Sequence, residues 1–387
     1  MESIDPDSQN LQLLLQNYLE AEKLGNYDAA DEIIDNKVPE LGKMFFQKIG
    51  IKQPTEEQQA SFGLIFSSCT SSSIPENEKN KYISFRVEQL KNSILLQKNF
   101  EEKSKQFVLE NQGDPDTIEL SSADTHHGGK VPFSCTIKGR KVFIKPRSAA
   151  LDISIINLFS EINTLEPNFH LPVYSIEDIN DFSKWDLIDG HLPGEEYTII
   201  EDFVDKLKPN DRLSREDIAN IKDQLLKLNA VASRIGLSDL HGENVIFKNL
   251  SLDEVGRFIK KNIDDPVIVV PIDLESLQPG SATGLLREKE ADQPVDLSEA
   301  ALEKINSFNE NVKKIPFRFV PIPTVKFLEN LDNVQNIPKV IELVQKSASK
   351  KNMQINFDLK DYITKCFLNK EVPFFSCIDG ILYPGAK

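Results

Sequence analysis

The sequence predicts an α+β fold in which a small antiparallel sheet lobe precedes a larger helical lobe, with a helical region ahead of both. Three observations lead to this prediction. Apolar residues recur at helical spacing before residue 111, two short β-rich runs joined by a glycine-containing turn follow, and a long amphipathic helical stripe comes next. We place the boundaries at residues 1–115 for the helical region, 116–203 for the sheet lobe and 204–387 for the helical lobe.

The helical region is recognised by its apolar periodicity. Leu11, Leu15 and Tyr18 form one stripe, and Ile83 and Val87 belong to another. The polar stretch 111–116 contains Gly and Pro, which oppose helix continuation, so we expect the helical region to end there.

The sheet lobe rests on a predicted hairpin. Residues 131–137 and 141–145 are β-rich, and the glycine-containing residues 138–140 form a short connection between them. Residues 149–165 predict a helix, and residues 197–203 predict a further strand.

The helical lobe begins with a stripe of apolar residues that ends at Gly236, where a helix C-terminal glycine is expected. Residues 245–247 and 267–272 are short β-rich runs on either side of a polar insertion. Each run adjoins side chains suited to catalysis. The members of the stripe are Ile218, Ile221, Leu225, Leu228, Ala232 and Ile235.

Composition excludes several classes of function. The net charge of −16 opposes binding to nucleic acids and to anionic membranes. No apolar run is long enough to span a membrane, and the N-terminus lacks the pattern of a secretory signal. We therefore expect a cytoplasmic location, with export as an effector left open. The four cysteines have no zinc-site spacing and are expected to be thiols.

Four residues supply the parts that phosphoryl transfer requires. Lys145 ends the second hairpin strand, where a cation can contact nucleotide phosphates. Asp239 and Asn244 lie in a predicted loop between a helix and a strand, where Asp239 can orient the acceptor hydroxyl and Asn244 can bind magnesium. Asp273 follows an apolar strand and is the second predicted magnesium ligand. These residues predict ATP and Mg²⁺ as cofactors.

Two further features leave alternatives open. Gly128 and Gly129 can let the backbone approach phosphates closely, although the usual order of a glycine-rich loop is absent. Asp124 and His126 precede these two glycines. The alternative to a phosphate-binding loop is that this segment binds a metal. Glu161, on the helix after Lys145, is the candidate to pair with that lysine, and an exposed helical Glu is the alternative.

Several motifs in order resemble the dehydratase domain of class II lanthipeptide synthetases, whose fold resembles lipid kinases. The resemblance spans about residues 120 to 380 and rests on the segments 124–126 (DTH), 143–148 (FIKPRS), 239–244 (DLHGEN), 272–275 (IDLE), 318–324 (RFVPIPT) and 371–375 (EVPFF).

The resemblance implies a kinase-like two-lobed fold and two successive reactions at one site. ATP phosphorylates Ser or Thr of a peptide, and phosphate elimination then leaves a dehydroamino acid. Arg318 and Thr324 match the pair associated with elimination. Phosphorylation positions are matched by Asp124, His126, Lys145, Asp239, His241, Asn244 and Asp273.

The sequence also departs from that family. The helical region ahead of Asp124 is shorter than in full family members, and the cyclase domain with its zinc ligands is not found, so ring closure is not expected. We expect a peptide or protein substrate and leave an activating protein partner open. The alternatives are a protein kinase or nucleotidyltransferase effector that acts on a host protein without elimination, and a pseudokinase scaffold.

Overall fold

The computed structural model describes residues 6–70, 74–120, 130–179, 185–189, 213–240, 244–255, 257–277, 283–286, 295–331 and 333–385. Helices and small, largely antiparallel sheets alternate along these residues, so the predicted α+β class is confirmed. No helix in these ranges is long and apolar enough to cross a membrane.

The N-terminal helices pack around their own apolar core. Phe45 and Phe62 meet there with ring centroids 5.2 Å apart, and both are almost completely buried. A π-helical segment, Ile33–Lys37, joins the second helix to the third, which has a proline in its first turn, where the missing N–H has no intrahelical partner to lose. The five helices are α1 (Pro6–Lys23), α2 (Tyr27–Glu32), α3 (Val38–Lys48), α4 (Glu56–Thr70) and α5 (Lys79–Glu110).

Helix α5 leads directly into the first sheet and ends where the sequence predicted. The next strand, β1 (Gly113–Leu120), begins within the polar stretch 111–116, so the predicted boundary at residue 115 falls inside a strand. The last turns of α5 share an apolar core with this sheet through Phe107 and Val108. Thus α5 belongs to both cores.

The first sheet contains the predicted hairpin. Strands β2 (Phe133–Ile137) and β3 (Arg140–Lys145) pair antiparallel, and Gly139 in the turn has a φ of 75°, which glycine adopts without strain. Strand β4 (Ile176–Ile179) and strand β5 (Trp185–Asp189) complete the order β1-β2-β3-β5-β4. The strand predicted at residues 197–203 lies outside the described residues.

The predicted helices of the middle region are confirmed. Helix α6 (Ala150–Leu165) follows β3, and helix α7 (Arg215–Ile235) is bounded by strong local signals. Ser214 and Asp217 form a reciprocal capping box at its start, and Gly236 ends it in the left-handed conformation with a φ of 74°.

The two short β-rich runs pair with each other. Strand β6 (Val245–Lys248) lies antiparallel to β9 (Ile268–Pro271). Between them, the polar insertion forms a second antiparallel pair, β7 (Leu250–Leu252) and β8 (Phe258–Lys260). The pairing of β6 with β9 brings the residues before β6 next to those after β9.

The C-terminal region adds helices around a four-stranded sheet in the order β10-β12-β13-β11. The buried amide of Gln89 in α5 donates hydrogen bonds to main-chain carbonyls in two of these helices, α9 and α11, at 3.1 and 2.6 Å. The elements are α8 (Glu299–Asn311), β10 (Phe317–Phe319), α9 (Thr324–Leu331), α10 (Ile337–Lys350), β11 (Gln354–Ile355), α11 (Leu359–Asn369), β12 (Phe375–Ile378) and β13 (Ile381–Pro384).

Candidate active site

Lys145 lies at the end of β3 and points toward the residues after β9. Its ammonium group donates a hydrogen bond to the main-chain oxygen of Ile272 and lies 2.9 Å from Asp273 Oδ1. The side chain is only 8% exposed, whereas that of Asp273 is 21% exposed. A buried lysine therefore contacts a carboxylate that solvent can still reach, and the structure brings these two predicted site residues together.

Arg147, two residues further on, contacts three carboxylates among the residues that the structure describes. Its Nη1 and Nη2 bind the Asp152 carboxylate in a two-bonded fork, at 2.5 and 2.9 Å. Its Nε lies 2.7 Å from Glu275 Oε2, and its Nη2 lies 3.4 Å from Asp273 Oδ1. Such planar, two-bonded recognition suits a guanidinium and is not available to a lysine. Arg147 thus ties β3 to α6 and to the segment after β9.

Arg318 in β10 is part of the same cluster. Its Nη1 lies 2.6 Å from Glu275 Oε1, and its main-chain N–H donates to the oxygen of Glu275 at 2.7 Å. The guanidinium also stacks over Phe374, 5.2 Å from the ring centroid. The Arg318 side chain is 10% exposed, so its guanidinium lies within the cluster and is largely shielded from solvent.

The charges of the cluster shift several ionisation equilibria. Burial alone would raise the pKa of Asp273, but Lys145 and Arg147 outweigh burial and lower the pKa to about 2. Burial and the nearby Asp273 raise the pKa of Glu275. The guanidiniums of Arg318 and Arg147 lower it, but by less. Asp273 is consequently ionised at neutral pH and able to bind a cation.

Asp239 and Asn244 lie at the neighbouring edge. Asn244 Nδ2 donates to the main-chain oxygen of Asp239 at 2.6 Å, and the Asn244 main-chain oxygen accepts from the N–H of Ile272 at 2.9 Å. Asp239 has a φ of 67°, an uncommon conformation for a residue with a Cβ. Burial lowers the pKa of Arg318, but the charges of Glu275 and Asp273 outweigh burial and raise it. The charge of Asp239 adds a smaller effect in the same direction.

Two predicted residues do not join this cluster. Glu161 forms an exposed ion pair with Lys304, at 3.0 Å, so the prediction that it pairs with Lys145 is corrected. The physical reason is that Lys145 is already satisfied by Asp273, while Glu161 lies on the solvent-facing side of α6. Thr324 begins α9, and within the described residues no hydrogen bond joins it to the cluster.

Five predicted residues lie outside the described part of the chain. They are Asp124, His126, Gly128, Gly129 and His241. Their proposed roles at the phosphates, and the alternative metal site next to Gly128, remain predictions.

The side chains present fit a magnesium ion that also binds nucleotide phosphates. Asp273 Oδ1 is used by Lys145, whereas Oδ2 forms no hydrogen bond or ion pair within the described residues. Asn244 donates from its amide nitrogen, and its side-chain oxygen Oδ1 is a neutral oxygen of the kind that magnesium binds. Among the described residues no group of three His, Cys, Asp or Glu could hold a metal alone. Few protein ligands are typical of magnesium, which keeps waters and phosphate oxygens.

Comparison with known proteins adds one match. Residues 83–251 match the family model of a domain of unknown function, DUF4135. The DUF4135 match begins within α5 and includes Lys145, Asp239 and Asn244, while Asp273 and Arg318 follow it. Among curated proteins, nothing matches this chain.

Sequence reasoning missed the central position of Arg147 and the role of Asp152. The sequence held a signal for each residue. Arg147 follows the candidate lysine at a spacing of two, and Asp152 lies in the first turn of α6. An acidic residue is favoured there by the helix dipole, which gives Asp152 an ordinary explanation from sequence alone. Only the buried two-bonded contact with Arg147 shows its further role.

Proposed function

We propose that this chain transfers the γ-phosphoryl group of ATP, with Mg²⁺, to a Ser or Thr hydroxyl of a peptide or protein. The supporting observation is that Lys145 and Asp273, which are far apart in sequence, meet at 2.9 Å next to the edge that carries Asn244. A cation for the phosphates and oxygen ligands for the metal are the groups that this reaction requires.

Each side chain has a defined task in the proposal. Lys145 binds and orients phosphate oxygens, while Asp273 Oδ2 and Asn244 Oδ1 would hold the metal. A magnesium ion held there would neutralise charge that develops on the phosphoryl oxygens. Asp239 accepts the proton of the attacking hydroxyl or orients that hydroxyl. The arrangement also agrees with a kinase-like two-lobed fold, which we include in the proposal.

The position of Arg318 beside Glu275 favours a second step, phosphate elimination, at the same site. The Arg318 guanidinium contacts Glu275, which also contacts Arg147, and Arg147 in turn lies next to Asp273. A product phosphorylated beside Asp273 could therefore meet Arg318 without leaving the site. In the elimination step a base removes the α-proton as the Cβ–O bond to phosphate breaks, and a guanidinium can neutralise the departing phosphate. The DUF4135 family is associated with lanthipeptide synthetase-like proteins, which is in line with a dehydratase-like reaction.

The proposal is tested by incubating the purified chain with ATP labelled at the α or γ position, Mg²⁺ and candidate peptides or lysates. Label from the γ position alone supports phosphoryl transfer, and label from the α position identifies nucleotidyl transfer instead. By mass spectrometry, a gain of one phosphate indicates a kinase, whereas a net loss of one water indicates phosphorylation followed by elimination.

A matched pair of variants completes the test. Asp273→Asn is expected to abolish magnesium-dependent transfer, while Asp253→Asn removes a carboxylate that pairs with Arg257 in the insertion between β6 and β9 and is expected to retain it. Equal transfer by both variants would refute the assigned site. Absence of nucleotide turnover from the unmodified chain, across all acceptors, would favour a scaffold function.

A further inference from the structure

The guanidiniums of Arg147 and Arg318 share one carboxylate. Glu275 Oε2 lies 2.7 Å from Arg147 Nε, and Glu275 Oε1 lies 2.6 Å from Arg318 Nη1. All three side chains are 10 to 11% exposed. Because each oxygen of Glu275 has its own guanidinium, rotation of the carboxylate would lengthen both contacts together.

Arg147 is itself fixed from the other side by Asp152. The Asp152 carboxylate is completely buried and accepts two hydrogen bonds from Arg147, at 2.5 and 2.9 Å. It lies in the first turn of α6, where the helix dipole also stabilises its charge. Helix α6 therefore anchors Arg147, although Glu161 on the same helix does not reach the site.

The space around these side chains is small and only partly open to solvent. A half-open pocket of about 20 Å³ lies between Arg147, Glu275, Arg318 and the ring of Phe374, which is room for about one water molecule. Because its side chain is only 11% exposed, the Glu275 carboxylate regains little hydration when it loses one of its two guanidinium partners. It must move toward the remaining cation, and Arg318 must follow or lose its contact.

We propose that Arg147 is a positioning residue that orients Arg318 through the shared carboxylate of Glu275. Asp152 is the anchor of this chain of contacts. The task assigned to Arg318 rests on the proposed function, but the chain of contacts can be measured without turnover. The consequence is that α6 and β10, which have no direct contact through these side chains, are coupled at the site.

The test uses nuclear magnetic resonance of the full chain labelled with ¹⁵N in its arginine side chains. Guanidinium nitrogens in rigid ion pairs give separate, slowly averaging signals. In Arg147→Lys, which lacks the Nε contact to Glu275, and in Asp152→Asn, which weakens the anchor of Arg147, the Arg318 signals are expected to average roughly tenfold faster or more, because a charge-assisted hydrogen bond is weakened along the chain. Arg318→Lys assigns the Arg318 signals, because that variant lacks them, and Glu275→Gln, which leaves one uncharged oxygen for two guanidiniums, disrupts the shared contact directly.

Arg257→Lys is the matched control, since it alters an arginine–aspartate pair in the insertion. It is expected to leave the Arg318 signals unchanged, and circular dichroism establishes that each variant is folded. Unchanged Arg318 signals in folded Arg147→Lys and Asp152→Asn would overturn the positioning role, whatever the enzymatic activity.

Nucleotide turnover is then measured on the same samples. Altered Arg318 signals together with an inactive unmodified chain would support the positioning role and refute the proposed function. Altered signals with slowed phosphate release from a phosphoserine peptide, measured in ADP and Mg²⁺, would support both. The two proposals can thus fail separately.

Discussion

Removal of the Arg318 side chain provides the sharpest test of how the cluster contributes to stability. In Arg318→Met, Glu275 Oε1 loses a partner at 2.6 Å while Oε2 keeps Arg147 at 2.7 Å. Methionine retains apolar contact with Phe374 but not the charge. The change therefore removes the ionic contact with Glu275 together with the cation–π contact over Phe374.

The expected loss is about 3 kcal/mol of unfolding free energy, the lower end for breaking a buried ion pair, because one guanidinium remains. In Arg318→Met, the Glu275 carboxylate has lost the Arg318 guanidinium. Adding Glu275→Gln removes the negative charge of that carboxylate as well. The double variant is therefore expected to recover about 2 kcal/mol relative to the sum of the single variants.

The measurement is urea unfolding of the four proteins of this cycle at pH 7, followed by circular dichroism. Lys365→Met serves as the control, because Lys365 and Asp361 form a surface pair that is 67% and 58% exposed, and no measurable change is expected. Additivity of the two single substitutions within about 0.5 kcal/mol would show that the contact does not couple these residues.

Three further predictions concern stability and reactivity. Gln89→Leu removes the side-chain donor from the carbonyls of Leu331 in α9 and Phe367 in α11, of which the second keeps the Lys370 N–H at 3.2 Å, and should reduce the unfolding free energy by about 2 kcal/mol, measured by urea titration. Gly113→Ala places a Cβ 2.5 Å from a carbonyl oxygen of β2 and should lower the melting temperature, whereas Gly63→Ala, with nothing within 4 Å, should not. Thiol reagents at pH 8 should modify the cysteines only after unfolding, because burial raises the pKa of each to about 11 or 12. These are Cys69, Cys135, Cys366 and Cys377.

Local signals predicted the local structure well. The end of α5, the β2–β3 hairpin and the stop of α7 at Gly236 follow from glycine conformations and periodicity within a few residues, and all are confirmed. Strand β1 was not predicted, because its polar sequence matches no strand pattern. It forms since β2 offers an edge and because α5 covers the adjoining core through Phe107.

For the candidate site, the sequence predicted the residues but not all of their contacts. Lys145 and Asp273 were predicted from their positions at strand ends, and the β6–β9 pairing places Asn244 beside the segment that carries Asp273. The sequence left open whether Glu161 pairs with Lys145 or is exposed, because helical spacing cannot tell whether Glu161 faces the sheet or solvent, and the structure shows the exposed alternative. The joining of Arg318 to this cluster depends on a contact across the fold that no local pattern specifies.

The contact between Lys145 and Asp273 has a consequence for the order of binding. A metal that uses the Asp273 carboxylate must compete with an ammonium group 2.9 Å from Oδ1 and a guanidinium at 3.4 Å. Nucleotide phosphates would draw Lys145 toward themselves and so relieve that competition. The structure therefore predicts weak binding of Mg²⁺ alone and stronger binding when nucleotide is present.

Lys145→Met separates the two effects, because they have opposite signs. Loss of the ammonium group should raise the affinity for Mg²⁺ or Mn²⁺ alone and lower the affinity for ATP in the presence of a chelator, each by roughly tenfold, as calorimetry can measure. Lys141→Met, at an exposed position on the same strand, should change neither. If Lys145→Met weakened both ligands together, the lysine would be supporting the metal site rather than competing for it, and the predicted order of binding would be wrong.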